Sequence, residues 1–480
     1  MRTEKRLSCW LFAVFALGST ALAGCGGSTE TAADLGADLQ SGTSDAGVDV
    51  ADVPAVDALG DAGSPVDAVV DAAAGPDAVA DVPVDVGLPV PATVPTDLPP
   101  GVVAIGLWAG DLDSKGASPQ VKTQLPKNTV GVVATILGKH PNFFTLSTIV
   151  GPDGTPWAKG QCNALCVDCA NRVSASPAVG TAALPSSSDV LVGGGLWRFA
   201  ACGYHWILKG GSFGQQPPEA GLADVSTTLL VKTTSDGQLP TQGKLLLRLF
   251  FSGVGGITAA SGPTEPKILG MIGEVQARYA TLGIQVQVVD WRDLEAGHTL
   301  ISLPDDVTDS GQSDMDTLFA GAKVAGGSGV IDVFLVDQIL GGGLEGKGVT
   351  AGVSGAIPGP AYFHGIPRAG IAIALTPLGD DAVLAGRTLA HEMGHFLGLW
   401  HPCERDGKTF DPITDTPQCD ISHDSSGDGI LDPDECIGFG QDEVMFWFAA
   451  PGDAVFTPGQ RAIIAANPLV LPLAATATTP

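Results

Sequence analysis

The chain has 480 residues, with 52 acidic and 24 basic side chains and a formal net charge of −28. Proteins that bind nucleic acid present basic surfaces to the phosphates, so this balance argues against a nucleic-acid partner. The charge is uneven: residues 31–100 hold 13 Asp and no Lys, Arg, Glu, His or aromatic residue, which leaves the remainder only moderately acidic.

The first 24 residues are typical of an export signal. A positive segment, Arg2 to Arg6, precedes an apolar run, Leu11 to Leu17, that is too short to span a bilayer. No later segment of the sequence is predicted to cross a membrane. We therefore expect residues 1–24 to be removed as a signal peptide.

The stretch Leu22-Ala23-Gly24-Cys25 resembles the bacterial lipoprotein box, in which the cysteine becomes the lipidated first residue. Several acyl chains on Cys25 would hold the protein stably at a membrane, since one chain alone binds only marginally. Gly26 provides no retention signal of the aspartate type. The sequence thus predicts an exported lipoprotein with a lipid anchor, at the outer membrane or cell surface.

Residues 25–100 carry a degenerate Asp/Val/Ala/Pro/Gly repeat. Such a segment lacks the large side chains whose burial would offset the entropy of ordering. It is predicted to be a disordered, self-repelling tether with a reach of roughly 50 Å.

Residues 101–240 contain short apolar runs separated by Gly, Pro and Ser clusters, with no long helical periodicity. This pattern predicts a small β-rich domain, a sandwich, whose role as prodomain, substrate-positioning module or spacer stays open. Its cysteines favour two disulfides over a metal site, because an exported chain meets oxidising conditions. These cysteines are Cys162, Cys166, Cys169 and Cys202.

The region 243–470 alternates between apolar strands and helical spacing, and a further helix from Asp380 or Asp381 carries the histidine motif described below. Ile371–Leu375 is expected to be the edge strand above a cleft. The preceding strands are predicted at Lys244–Phe251, Val286–Val289 and Val330–Val336, and the helices at Glu265–Leu282 and about Ser313–Lys323.

The run from His391 to His401 reads H-E-x-x-H-x-x-G-x-x-H. On a helix, His391 and His395 lie one turn apart on one face and can bind one Zn²⁺. Gly398 can leave the helix with a positive φ, which lets His401 turn back as third ligand. Glu392 is placed to act as general base toward a zinc-activated water. Three protein ligands leave one position open, as in catalytic zinc sites.

This extended motif resembles the zinc site of metzincin metalloproteases, and later landmarks are similar to their pappalysin branch. The resemblance covers about residues 243–470 and implies an α+β catalytic domain: a twisted mixed sheet with the zinc helix beneath it. It also implies that Met445 forms the methionine turn under the zinc. Many metzincins carry a Tyr two residues later; this chain has Trp447, for which packing is the expected role. The other landmarks are Asp411–Gln418 and Phe456–Arg461.

The resemblance implies a zinc-dependent endopeptidase, with a protein or peptide substrate pairing along the edge strand. The first alternative is a non-catalytic surface adhesin or binding lipoprotein on the same scaffold. The intact Glu392 favours the enzyme, because a protein that only binds has no need of a general base. A zinc amidase acting on non-peptide substrates is a third possibility.

The twelve residues Asp424–Glu435 fit the calcium-loop pattern D-x-[DNS]-x-[DN]-G-x5-E, and Ca²⁺ is favoured over a plain acidic turn. Cys419 and Cys436 bracket the loop and are predicted to form a disulfide, which leaves Cys403 as the free thiol. The candidate ligands are Asp424, Ser426, Asp428, the Ile430 carbonyl, Asp432 and Glu435.

Overall fold

The computed structural model describes residues 94–139, 142–159, 171–209, 212–216, 224–295, 299–302, 314–322, 329–340, 349–448 and 453–473. These residues belong to one compact unit. The predicted signal, Cys25 and the tether up to residue 93 lie outside them, as do three of the four cysteines of the first group. Cys202, the fourth, is disulfide-bonded. In the described part of the chain, no helix has the length and apolar character needed to cross a membrane.

The described residues of the N-terminal part form ten strands in two antiparallel sheets. One sheet has the order β1-β10-β3-β7, and the other has β2-β8-β4-β5, with β6 paired to β4 and β9 to β8. The strands are β1 Val102–Gly110, β2 Val121–Leu125, β3 Thr129–Leu137, β4 Phe143–Val150, β5 Pro156–Lys159, β6 Ser176–Pro177, β7 Val179–Leu184, β8 Gly195–Lys209, β9 Ser212–Gln216 and β10 Val225–Thr233.

The two sheets share one hydrophobic core and so form a sandwich. Strand β3 is buried along almost its whole length, because both of its faces are covered. Val132 and Ala134 face the core of the sandwich. Val133 belongs instead to the large core that contains the helix Ala382–Phe396. This helix carries His391 and His395 and is called the zinc-motif helix below. The sandwich is therefore packed directly against the C-terminal part.

The C-terminal part is built on a mixed five-stranded sheet with the order β12-β11-β14-β18-β17. The first four strands are parallel, and β17 runs antiparallel to β18. Three further strands form a separate small sheet with the order β13-β15-β16. The strands are β11 Gly243–Phe251, β12 Ile284–Asp293, β13 Leu300–Ser302, β14 Val330–Val336, β15 Gln338–Leu340, β16 Val349–Thr350, β17 Gly352–Ser354 and β18 Ile371–Ala374. The helices are α1 Pro266–Ala280, α2 Asp314–Gly321, α3 Ala382–Phe396 and α4 Pro458–Ala466.

These elements give the mixed-sheet α+β architecture that was expected, but the edge strand was predicted wrongly. β18 contains the predicted edge segment, yet it lies second from the edge, between β14 and β17. The edge strand is β17, which has only three residues and begins with Gly352. So short a glycine-containing strand has no apolar run by which a sequence pattern would reveal it.

Helix α3 lies against the sheet and against α1. The Asp381 carboxylate caps its first turn by accepting from the Leu384 N–H at 2.9 Å. Gly386 lets the two helices approach closely, since a Cβ there would lie 2.4 Å from Cβ of Glu274. The buried Tyr279 hydroxyl donates to the Ala390 carbonyl at 3.2 Å, directly before the first histidine of the motif. The helix is therefore held on the side away from its histidines.

Candidate metal centre

The turn after α3 directs the chain back toward the helix. Gly398 has φ +109°, a conformation that side chains oppose. A Cβ at this position would also lie 3.0 Å from Cβ of Ala183 in β7. Conformation and packing both require glycine here, and the turn brings His401 to the two helical histidines.

His391, His395 and His401 form a buried cluster that could hold a metal ion, with one nitrogen of each ring within 4.8 Å of the others. The Nε2 atom of His401 lies 3.1 Å from Nε2 of His395 and 3.4 Å from Nε2 of His391. Tetrahedral ligands at about 2.0–2.1 Å from zinc lie roughly 3.3–3.4 Å apart. The spacing of these nitrogens therefore fits zinc.

The opposite nitrogen of each ring faces an acceptor. His391 Nδ1 donates to the Val444 carbonyl at 2.7 Å, and His395 Nδ1 donates to the Leu399 carbonyl at 2.8 Å. His401 Nδ1 donates to the Glu404 carboxylate at 3.0 Å. Protons on all three Nδ1 atoms leave the three Nε2 lone pairs directed at one point, the arrangement of metal-ligating histidines.

Burial keeps the rings of His391 and His395 in the neutral form that binds metal. It lowers the pKa of His391 to about 3, and it lowers the pKa of His395 well below its ordinary value. Adjacent unprotonated Nε2 atoms repel one another unless a cation lies between them. The donor set therefore fits a metal ion better than a hydrogen-bonded histidine cluster.

Glu404 was not singled out from the sequence. It follows His401 by three residues in a loop, and nothing in the motif marks it. Its carboxylate fixes the ring of the third histidine, as acceptors around metal sites commonly do.

Glu392 lies beside the cluster and is fully buried. Within the described part of the chain, neither of its carboxylate oxygens has a hydrogen-bond partner. Burial raises its pKa to about 8, and the nearby Ser354 amide offsets part of that rise. The edge strand β17 passes close above it: a Cβ on Gly352 would lie 2.9 Å from Cγ of Glu392. A proton-accepting group without a hydrogen-bond partner thus lies against the sheet edge, on the helical turn that begins with His391.

Met445 is fully buried against the zinc-motif helix. A Cβ on Gly394 would lie 2.2 Å from the Met445 sulfur, so the glycine makes room for the methionine. The preceding residue, Val444, supplies the carbonyl that accepts from His391. Trp447 packs in a separate cluster with Phe446 and the cysteines of the C-terminal group. Arg405 lies over its ring at 5.3 Å from the centroid.

The two further sequence landmarks lie side by side. The Asp415 carboxylate accepts from the Thr457 hydroxyl at 2.8 Å and from the Gly459 N–H at 2.8 Å, at the start of α4. Asp411 accepts from the Thr416 hydroxyl at 2.7 Å. Burial raises the pKa of Asp411 to about 7. Burial also raises the pKa of Glu443 to about 8, and repulsion by the Asp411 carboxylate adds to this rise.

The predicted calcium loop is exposed, and its carboxylates accept hydrogen bonds from the loop itself. Asp424 accepts from the amides of Gly427 at 2.6 Å and Gly429 at 2.7 Å. Glu435 accepts from the Ser425 amide at 2.7 Å. Ser426 and Asp428 bond within the loop, Asp432 pairs with Arg405 at 3.4 Å, and Ile430 is exposed. The calcium assignment stays a prediction. The predicted disulfide between Cys419 and Cys436 is confirmed, with Cys403 as a buried free thiol.

No family model matches the chain, and no curated protein matches it. Among solved structures, it is similar to metalloproteinase-II from Bacteroides fragilis, with 17% identity and a TM-score of 0.23 over 44% of this chain and 72% of the other. A family two carbohydrate esterase from Clostridium thermocellum, solved as an active-site mutant, shares 13% identity with a TM-score of 0.13, over 50% of this chain and 65% of the esterase. A family two carbohydrate esterase from Cellvibrio japonicus shares 10% identity with a TM-score of 0.11, over 40% of this chain and 50% of the esterase. With TM-scores this low, the likenesses carry no argument, and the functional case depends on the site itself.

Proposed function

We propose that this chain is a zinc-dependent endopeptidase of the pappalysin-like metzincin type. One observation carries the proposal: three histidines with converging Nε2 atoms lie beside a buried, unpartnered carboxylate. His391, His395 and His401 would hold the metal. Zinc in such a site acts as a Lewis acid and lowers the pKa of water to about 7.

Glu392 would supply the acid–base chemistry. Its carboxylate accepts the proton of the attacking water and then delivers that proton to the leaving amine of the cleaved peptide. The charge of a bound zinc would favour the ionised form of this carboxylate, which is the form that accepts a proton. No described side chain competes for its oxygens, which leaves them available to substrate and water.

A peptide substrate would bind along β17. In the described part of the sheet this strand pairs only with β18, so its other edge offers backbone groups to an extended peptide. The antiparallel strand runs directly over Glu392, which would place a paired peptide beside the histidines. A peptide is therefore a better candidate substrate than a small amide.

The enzyme would act at the cell surface, tethered through lipidated Cys25 and the acidic segment. A Cys25→Ser variant would then leave the membrane fraction and appear in the soluble one. A calcium ion in the loop 424–435 is a further part of this proposal and is tested separately below.

The test is a digest of a proteome-derived peptide library with the mature chain, together with its zinc content. Wild type should contain one zinc per chain and cleave peptides, and chelator should abolish cleavage. His395→Ala should lose the metal. Glu392→Gln should keep it but lose at least about 10²–10⁴-fold in kcat. His423→Ala, outside the cluster, is the matched control. A zinc-loaded wild type that cleaves no peptide would favour the binding-protein alternative.

A further inference from the structure

The turn that carries His401 is held from outside the C-terminal part of the chain. Gly398 lies against β7, and Trp400 lies against the segment before β6. Strand β10 reaches the turn through Asn467, and all three of these elements belong to the sandwich. We infer that the sandwich is a permanent part of the metal centre and that Lys232 and Arg172 are positioning residues for the third histidine. The inference rests on the proposed metal site.

Lys232 reaches from β10 into the C-terminal end of α4. It is almost fully buried, and its Nζ donates to the carbonyls of Ala465 at 2.7 Å, Asn467 at 3.1 Å and Val470 at 2.7 Å. Burial lowers the pKa of Lys232 to about 7, and the three carbonyls match the three donors of its ammonium form. The carbonyls at a helix C-terminus carry partial negative charge, which a cation complements.

Asn467 transmits this contact to the turn. Its side-chain amide donates to the Leu397 carbonyl at 3.0 Å. Its side-chain oxygen accepts from the Leu469 amide at 2.9 Å, so the group is fixed at both ends. Leu397 directly precedes Gly398. Two successive contacts therefore link Lys232 to the residue at which the chain leaves the zinc-motif helix.

Arg172 holds the other end of the same turn. Its guanidinium lies 4.0 Å from the centroid of the Trp400 ring and donates to the Phe410 carbonyl at 3.4 Å. Trp400 directly precedes His401. The backbone amide of Arg172 is itself held by the Ser186 hydroxyl at 2.7 Å, so the arginine is anchored to the sandwich.

Direct packing completes the interface. Ala183 of β7 lies against Gly398, and the Thr181 hydroxyl donates to the Pro358 carbonyl at 2.6 Å. A Cβ on Gly131 of β3 would lie only 2.0 Å from the Ala466 carbonyl oxygen. A prodomain removed on activation would take away the contacts at both ends of the ligand-bearing turn. These contacts favour an integral scaffold over such a prodomain.

The test uses the mature chain with Lys232→Met and, separately, Arg172→Met. Both changes keep an unbranched apolar stem and remove the donors. Zinc affinity is measured by competition with a chelator, and hydrogen–deuterium exchange of residues 397–401 is measured without metal. The exposed Lys115→Met is the matched control.

We expect zinc binding about 10–100-fold weaker in each variant, with faster exchange in the turn, and no change in the control. Exchange and affinity equal to wild type in both variants would overturn the inference. If Lys232→Met does not fold, Arg172→Met decides alone. Should wild type bind no zinc while exchange still responds, the proposed function falls and the positioning of the turn stands.

Discussion

Gly394→Ala is the sharpest test of how Met445 supports the zinc-motif helix. Gly394 lies inside α3, where alanine is ordinarily better than glycine by up to about 1 kcal/mol. Here the added Cβ would lie 2.2 Å from the Met445 sulfur. Ordinary contact is roughly 3.5–4.0 Å, so the sulfur must move by roughly 1.3–1.8 Å.

Overpacking of this kind costs about 1–3 kcal/mol in a close-packed core. The unbranched methionine can adapt, which favours the lower half of that range. After the helical gain is subtracted, we expect the variant to be less stable than wild type by about 0–2 kcal/mol. Displacing Met445 also moves Val444, whose carbonyl holds the His391 ring, so zinc affinity should fall by about 10-fold or more.

The matched control is Gly273→Ala in α1, where a Cβ would meet nothing within 4 Å. This change should stabilise the chain by about 0.5–1 kcal/mol and leave zinc binding unchanged. Urea denaturation of the metal-free chain and chelator competition measure the two effects. If both variants gain the same stability and Gly394→Ala keeps wild-type zinc affinity, the close contact between methionine and helix has no energetic role.

Three further predictions concern neighbouring groups. The pKa of Glu443 is about 8 in the folded chain, above its ordinary value of 4.5. Between these two pH values the folded chain holds a proton that the unfolded chain releases, so the free energy of unfolding falls as pH rises from 4.5 to about 8. Glu443→Gln should therefore reduce the loss of melting temperature between pH 5.5 and 8.5; an unchanged loss would assign the pH dependence to other groups. Trp447→Phe should lower stability with little change in kcat, and a large fall in kcat at unchanged stability would point to donation by the indole N–H. Millimolar Ca²⁺ should raise the melting temperature more than Mg²⁺ does, and Asp428→Ala with Glu435→Ala should remove that response; an equal response in the double variant would make the loop a plain acidic turn.

Local patterns predicted much of the C-terminal part. The strand Val330–Val336 was predicted with the bounds that the structure has, because an apolar run interrupted only by Asp332 signals a strand buried on both faces. The start of α3 at its Asp381 cap followed from the same kind of local signal. The grouping of the three histidines needed only helical periodicity and one glycine.

Features that depend on loop conformation or on distant contacts were missed. Glu404 follows His401 by only three residues, but its contact with the ring depends on the conformation of that loop, which no residue pattern marks. Lys232 looked like any strand lysine, since its three acceptors follow it by more than 230 residues, with Val470 at a separation of 238. The edge strand β17 is defined by its pairing with β18 and by no composition of its own. Such information resides in the tertiary fold, which a single sequence pattern does not encode.

The hydrogen bonds from Lys232 to the end of α4 have a consequence for folding during synthesis. Because their acceptors lie at residues 465–470, the turn before His401 stays unsecured until those residues have been synthesised. Contacts that span so much sequence form slowly and late. A nascent or truncated chain without these residues would therefore carry the complete histidine motif while the turn that brings His401 back is still unsecured.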